Sequence, residues 1–187
     1  MNKYKILEGQ YIEVIGKKLY RIQALKDFKG VKSGDIGGYI ENESNLSQSG
    51  NAWVFGNAWV SGNAWVSDDA RVFGNAWVSG NAWVHGNAQV HGNTWVFGNA
   101  QVFGNAWVSG TRHYLNLGPI GSRDGYTTIY RDKNKKAIVV CGCFLGSLDE
   151  FERAVHQTHA GTKYEAEYMT LIQLARLREK EWLDEVD

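Results

Sequence analysis

The stretch NAWVSGNAWV occupies residues 57–66, and near copies of it run on both sides. Asn, Ala, a large residue, Val, a variable residue and Gly recur every six positions. Ten such hexads begin at Asn51, Asn57, Asn63, Asp69, Asn75, Asn81, Asn87, Asn93, Asn99 and Asn105. Their fourth position is always Val, the second is Ala except for Thr94, and the sixth is Gly except for Asp68. A fixed short period is the mark of a solenoid. Six residues are too few for a helical hairpin and too regular for a loop. Val suits a strand, Ala is small enough for the inside of a corner, and Gly and Asn tolerate the positive φ that corners need. Val and Ala therefore point inward, and the third and fifth positions point out.

Read from Val, the unit Val-x-Gly-Asn-Ala-x resembles the hexapeptide repeat of left-handed parallel β-helices. The resemblance implies three hexads per triangular coil and a left-handed winding, an exception to the usual crossover hand. It covers residues 51–110, and the degenerate hexads 39–44 and 45–50 extend it to about four coils. At about 4.8 Å per coil the stack would rise roughly 19 Å.

With 18 residues per coil, residues 18 apart stack. Trp59, Trp77 and Trp95 form a ladder on one face, and Trp65 and Trp83 continue to Gln101 on a second. Trp53, Arg71, Gln89 and Trp107 mix on the third, and Phe55, Phe73, His91 and Ser109 stack at the fifth position. A covered indole is worth about 4 kcal/mol at ~25 cal/mol per Å². Three bare ones would expose a patch on the order of several hundred Å², which marks an interface. Trp59, Trp77, Trp95, Trp65 and Trp83 are thus expected to meet another subunit or to lie under the C-terminal residues. The resemblance implies a homotrimer.

The 187 residues carry 20 Lys and Arg against 20 Asp and Glu, so the net charge is zero. That gives no electrostatic footprint for a nucleic-acid polymer or a membrane surface. No stretch approaches the ~18 apolar residues of a spanning helix, and Met1 is followed by a charged, mixed segment rather than a signal peptide. A cytoplasmic chain with reduced Cys141 and Cys143 is expected. If the two share a strand they face the same way, and with no nearby Cys/His set they make no metal site.

Composition divides the chain. Within 51–110 the charged residues are Asp68, Asp69 and Arg71 alone. The reading is an N-terminal cap at 1–38, a β-helix at 39–110 and an α+β module at 111–187. In the cap, YIEVIGKKLYRIQAL (11–25) alternates like a hairpin with its turn near Gly16 and Lys17, and it would cover the open strand edges of the β-helix.

In the module, YLNLGPIGS (114–122), YTTIYRD (126–132) and KAIVVCGCF (136–144) read as three strands. SLDEFERAVHQTHAG (147–161) reads as a helix with a Ser147/Glu150 capping box, an apolar face of Leu148, Phe151 and Val155, and a closing Gly161. Tyr164, Tyr168, Leu171, Ile172 and Ala175 mark a second helix. The fold class is mainly β: a left-handed parallel β-helix of about four coils, an N-terminal β cap and a C-terminal βββαα module. The lead-in VKSGDIGGYIENESNLS (31–47) with the hexads resembles phage- and prophage-encoded proteins. The module resembles small phage-encoded modules with Gly-Ser-Arg (121–123), Gly-Cys-Phe-x-Gly (142–146) and Thr-His-x-Gly (158–161) elements.

These three elements hold the candidate ligand-binding residues Ser122, Arg123, Cys143, Phe144, Gly146, Ser147 and His159. Gly-Ser-Arg offers a hydroxyl and a guanidinium fork suited to phosphate or carboxylate. Gly146 and Ser147 open a helix, whose N-terminus favours anions. His159 closes that helix about 18 Å away at 1.5 Å per residue, so it cannot share a small site with Ser147 within one subunit, which leaves another subunit's site open to it. Capping, turns and solvation account for Ser147, the glycines, His159 and Arg123 without any ligand.

The favoured reading is a non-enzymatic binding protein with no catalytic residues, cofactor or metal. Its ligand is a small, nucleotide-like anion, in one version a host immune signal sequestered in an infected or lysogenic bacterium. A hexapeptide-type acyltransferase is the alternative. The resemblance then implies CoA in clefts between subunits and a histidine base, His85 or His91, although the repeat lacks the interrupting loop common in such enzymes. His85, His91 and His113 do not space as a zinc site. An ice-binding surface is excluded because Thr94 is the single Thr of the repeat. A structural trimerisation or assembly piece is the third reading.

Overall fold

The computed structural model describes residues 2–185. Two compact units divide at residue 111, one spanning 1–111 and the other 112–187.

The first unit is a β-solenoid of about four turns. Strands β1 (Tyr4–Val14) and β2 (Lys17–Ala24) form an antiparallel hairpin, and β3 (Ile36–Ile40) leads into ten two-residue strands, β4 (Trp53–Val54) through β13 (Trp107–Val108). The register is the 18-residue period itself. Trp59 pairs in parallel with Trp77, Trp77 with Trp95, and Tyr39 precedes them opposite Trp59. Leu46 bridges Val66, so the degenerate hexads do build the first coil. Backbone bonds follow the same step, Trp59 N donating to Ala76 O at 3.0 Å and Phe55 N to Val72 O at 2.8 Å. All ten repeat valines, and the alanines beside them, are buried.

The corners correct one expectation. The sixth-position glycines from Gly56 to Gly104 take the positive φ, between +57° at Gly56 and +72° at Gly74, and Asp68 takes +57° in their place. The asparagines are not left-handed. They form side-chain ladders up the outside: Asn63 donates to Asn81 at 3.1 Å, Asn81 to Asn99 at 2.9 Å and Asn75 to Asn93 at 3.1 Å. An amide both donates and accepts, so a stack of identical residues is self-satisfying.

The hairpin turn falls at Ile15 and Gly16, one residue before the expected place, with Val14 opposite Lys17. The segment before the repeat also closes the start of the solenoid. Trp53 is only 1% exposed, with Tyr4 and Phe28 meeting its ring edge-on at 6.1 and 5.4 Å. Lys3 is buried, and its ammonium donates to Ala52 O at 2.8 Å and Ser49 O at 3.4 Å. These bonds occupy carbonyls that would otherwise be orphaned at the solenoid end.

Burial, and secondarily Lys26, pulls the Lys3 pKa down from 10.5 to about 8. A charged Lys3 therefore opposes folding below about pH 8, and that penalty lifts as pH rises from about 8 toward 10.5. Buried Tyr4 acts in the other sense above pH 10, because its phenol pKa is raised. From pH 8 to 10 the wild type is expected to gain stability relative to Lys3→Met, by at most about 1.4 kcal/mol per pH unit. Denaturant titrations at several pH values check this, and parallel pH profiles would contradict it.

The ladder face is partly covered from within the unit. Trp59 and Trp77 stack face to face at 4.7 Å and are half-buried beside Val14 and Leu19 of the hairpin. Trp95 meets Trp77 edge-on at 5.3 Å and remains 53% exposed. On the second face Trp65 and Trp83 meet edge-on at 5.9 Å, and both are exposed.

The second unit differs from the expected βββαα in one strand. Its antiparallel sheet has four strands, in the order β14 (Tyr114–Ile120), β15 (Gly125–Arg131), β16 (Ala137–Cys141) and β17 (Phe144–Ser147). The run read as one strand folds back at Gly142, whose φ is +58°, so that Cys141 pairs with Phe144. Cys141 and Cys143 thus do not share a strand. Helix α1 (Leu148–His159) starts at the expected Ser147/Glu150 capping box, and Gly161 follows it at φ +74°. Helix α2 (Lys163–Asp184) contributes Tyr168, Leu171, Ile172, Ala175 and Trp182 to a core shared with Ile129, Val139, Leu148 and Phe151. No helix among the described residues is long and apolar enough to cross a membrane.

Candidate functional site

A cavity of about 280 Å³ opens in the second unit between the end of the sheet and the two helices. Its base is aromatic. Phe144 and Phe151 lie 5.0 Å apart, Tyr168 meets Phe151 edge-on at 5.4 Å, and His159 lies 5.6 Å from Tyr168. Ser122, Arg123, Tyr126, Cys143 and Thr158 line the cavity at exposed positions.

Each element reaches this place for a local reason. Ser122 and Arg123 sit in the turn between β14 and β15, which opens at Gly121 with φ +74°. A Cβ at Gly121 would lie 1.9 Å from the Tyr168 hydroxyl, and Gly121 N donates to Glu167 at 2.9 Å. The turn is therefore seated directly on α2. Gly142 turns the chain so that Cys141 and Cys143 both border the cavity. Cys141 accepts from the Thr127 hydroxyl at 3.2 Å and donates to Tyr168 at 3.7 Å. Burial first, then the contact with Cys141, raises the Tyr168 pKa, so the phenol stays protonated at neutral pH.

Five of the seven expected ligand residues converge here: Ser122, Arg123, Cys143, Phe144 and His159. His159 joins the other four within one chain, and Ser147, at the far end of the same helix, does not line the cavity. The remaining two stand elsewhere. The Ser147 amide and hydroxyl both donate to Glu150 at 2.8 Å, and these bonds lower the Glu150 pKa. Its own carboxylate thus already occupies that helix start. Gly146 packs against the same side chain, 2.8 Å from where a Cβ would stand. Tyr126, Thr158 and Tyr168 line the cavity although the sequence reading did not single them out as ligand residues.

Arg123 is exposed and forms no ion pair among the described residues. Its fork is available for a bidentate anion. No group of three or more His, Cys, Asp or Glu among the described residues is arranged to hold a metal ion.

The histidines of the repeat are engaged in stacking. His85 lies flat on Phe103 at 4.7 Å, with its Nδ1 3.6 Å from Asp68. Burial, outweighing Asp68, lowers its pKa. His91 stacks on Phe73 at 4.6 Å and meets Trp107 edge-on at 5.1 Å.

Residues 64–80 match the family model described as the YdcK Beta solenoid repeat. The chain is also 40% identical over 62 residues to a protein of Escherichia coli (strain K12) named "Uncharacterized acetyltransferase YdcK". That similarity spans 29% of this chain and 19% of the relative. The 18-residue register of the coils agrees with these matches: the repeat is a β-solenoid of six-residue units, similar to the YdcK solenoid repeat.

Proposed function

We propose that the chain is a non-enzymatic binding protein: a β-solenoid, trimeric in solution, displays a small α+β unit whose cavity takes one small anionic ligand with a planar ring. One observation carries the reading. Three elements far apart in sequence, around Arg123, Cys143 and His159, line a single cavity with an aromatic base and an unpaired guanidinium at its exposed edge. Its volume of about 280 Å³ falls just below the roughly 300–1,000 Å³ of most ligand sites, which suits one small group rather than a polymer. Rings would stack on the aromatic base, and phosphate would meet Arg123 and Ser122. The resemblance to phage- and prophage-encoded proteins supports a cytoplasmic setting in which the ligand is a nucleotide-like immune signal, sequestered rather than converted.

A thermal-shift panel of mononucleotides, cyclic nucleotides and ADP-ribose-type compounds tests this. A ligand at a hundred times its Kd stabilises the protein by about 2.7 kcal/mol. Arg123→Ala is expected to weaken that ligand by about 1.5–3 kcal/mol, the worth of a charge-assisted contact. A flat panel, or equal shifts in wild type and variant, would refute the reading.

The similarity to a protein named an acetyltransferase favours a second reading, acyl transfer on the solenoid. The stacked state of His85 and His91 speaks against either as its base. Release of free thiol from acetyl-CoA, lost in His85→Ala or His91→Ala, would favour that reading over the first.

A further inference from the structure

The enclosed wall of the cavity carries one polar side-chain group that packing does not explain. Its buried residues are Ile120, Phe151, Val155 and Tyr168, and Tyr168, 8% exposed, alone among them has a side-chain donor. The Tyr168 hydroxyl lies between Cys141 and the turn at Gly121. Both segments border the cavity, one through Cys141 itself and the other through Ser122 and Arg123.

The hydrogen bonds that reach this hydroxyl all run one way. Thr127 is fully buried, and its hydroxyl donates to Cys141 Sγ at 3.2 Å. The Cys141 thiol donates in turn to the Tyr168 oxygen at 3.7 Å. A phenol accepts through its lone pairs and donates through a single hydrogen. The chain therefore ends on the Tyr168 hydrogen, which finds no acceptor among the described residues. Burial raises the Tyr168 pKa, so that hydrogen stays in place at neutral pH. Native structures leave few buried donors unpaired, because each one left so is costly. With Cys141 and the Gly121 turn against the oxygen, the open side of the hydroxyl is the cavity.

We infer that Tyr168 selects the ring of the ligand: its hydroxyl donates to an acceptor in the ring plane, a carbonyl oxygen or a ring nitrogen. The cavity then takes a heterocycle of the nucleobase kind and rejects a hydrocarbon ring of the same shape. A ring without an acceptor would displace solvent from the hydroxyl and leave a buried donor unpaired, and a site built to hydrogen-bond its ligand discriminates by that penalty. The inference rests on the proposed binding of a small ring-bearing anion and divides its recognition in two. Arg123 holds the anion, and Tyr168 reads the ring.

Calorimetric titration of wild type, Tyr168→Phe and Arg123→Ala tests it with four probes: AMP, IMP, UMP and the ribose 5′-phosphate analogue in which a phenyl ring replaces the base. Wild type is expected to bind the tightest of the three nucleotides about tenfold more tightly than the phenyl analogue. Tyr168→Phe keeps the ring that meets Phe151 and His159. It is expected to shrink that preference to about threefold or less by losing affinity for the nucleotide alone. Arg123→Ala is expected to weaken the nucleotide and the phenyl analogue by the same factor, which preserves the preference. A wild type that binds both alike, or a preference unchanged in Tyr168→Phe, overturns the inference. Binding that still depends on Arg123 would in that case leave the proposed function standing. A wild type that binds none of the four overturns both.

Discussion

Gly80→Val is expected to lower the unfolding free energy of the solenoid by about 3 kcal/mol. Two independent costs combine at this corner. The φ of Gly80 is +69°, a region that costs an L-residue about 1–2 kcal/mol and a β-branched one more. A Cβ there would also stand 2.9 Å from Gly98 N and 3.1 Å from Gly98 O in the next coil. Backbone cannot rotate away as a side chain can, so the coil spacing itself must give. Asp68 supplies the control, because it occupies the same corner position at φ +57° and its carboxylate accepts from Gly86 N at 3.0 Å. Asp68→Gly is expected to change stability by less than about 1 kcal/mol. Chemical denaturation of the two variants checks both values, and a neutral Gly80→Val would mean that the corners are not under this constraint.

Trp182→Ala is expected to destabilise the second unit by about 3–5 kcal/mol, the usual cost of emptying a large buried aromatic site. Trp182 is 0% exposed, and its indole donates to Arg112 O at 3.0 Å. Arg112 in turn forms a two-pronged ion pair with Glu181 at 2.7 and 3.0 Å. The indole therefore ties the last turns of α2 to the start of the unit. The exposed ion pair contributes little by comparison, about 0–1 kcal/mol. Trp182→Phe keeps most of the volume and loses the hydrogen bond, so it should recover more than half of the loss in a thermal melt. Equal destabilisation by Ala and Phe would assign the effect to the bond rather than to the packing.

These residues also show what a reader of the sequence can and cannot see. The solenoid was legible because its cause is local: a Val every six residues and a glycine at each corner repeat often enough to set the register without tertiary information. The partnership of Trp53 with Tyr4 and Phe28 was not legible, since it joins residues 25 and 49 positions apart. The split of KAIVVCGCF into β16 and β17 hung on one glycine inside an apolar run, which equally suits a bulge or a strand bend. Trp182 lies among the charged residues at the end of α2, past the apolar positions that mark that helix in the sequence. The capping arithmetic of α1 was sound, and its 12-residue length kept Ser147 and His159 apart as expected. What no spacing rule contains is the crossing of α1 and α2 over the sheet, and that crossing brings His159 and Tyr168 to the turn that holds Arg123.

On the proposed function, the cavity holds a small anion through Arg123. The most direct measurement is native mass spectrometry of wild type and Arg123→Ala side by side, each equilibrated with the small-molecule filtrate of a bacterial lysate. A discrete non-covalent mass is expected on the wild type, absent or strongly reduced on the variant, that proves to be a phosphate-bearing compound when released. No adduct on the wild type, or the same adduct in equal yield on both proteins, would contradict it.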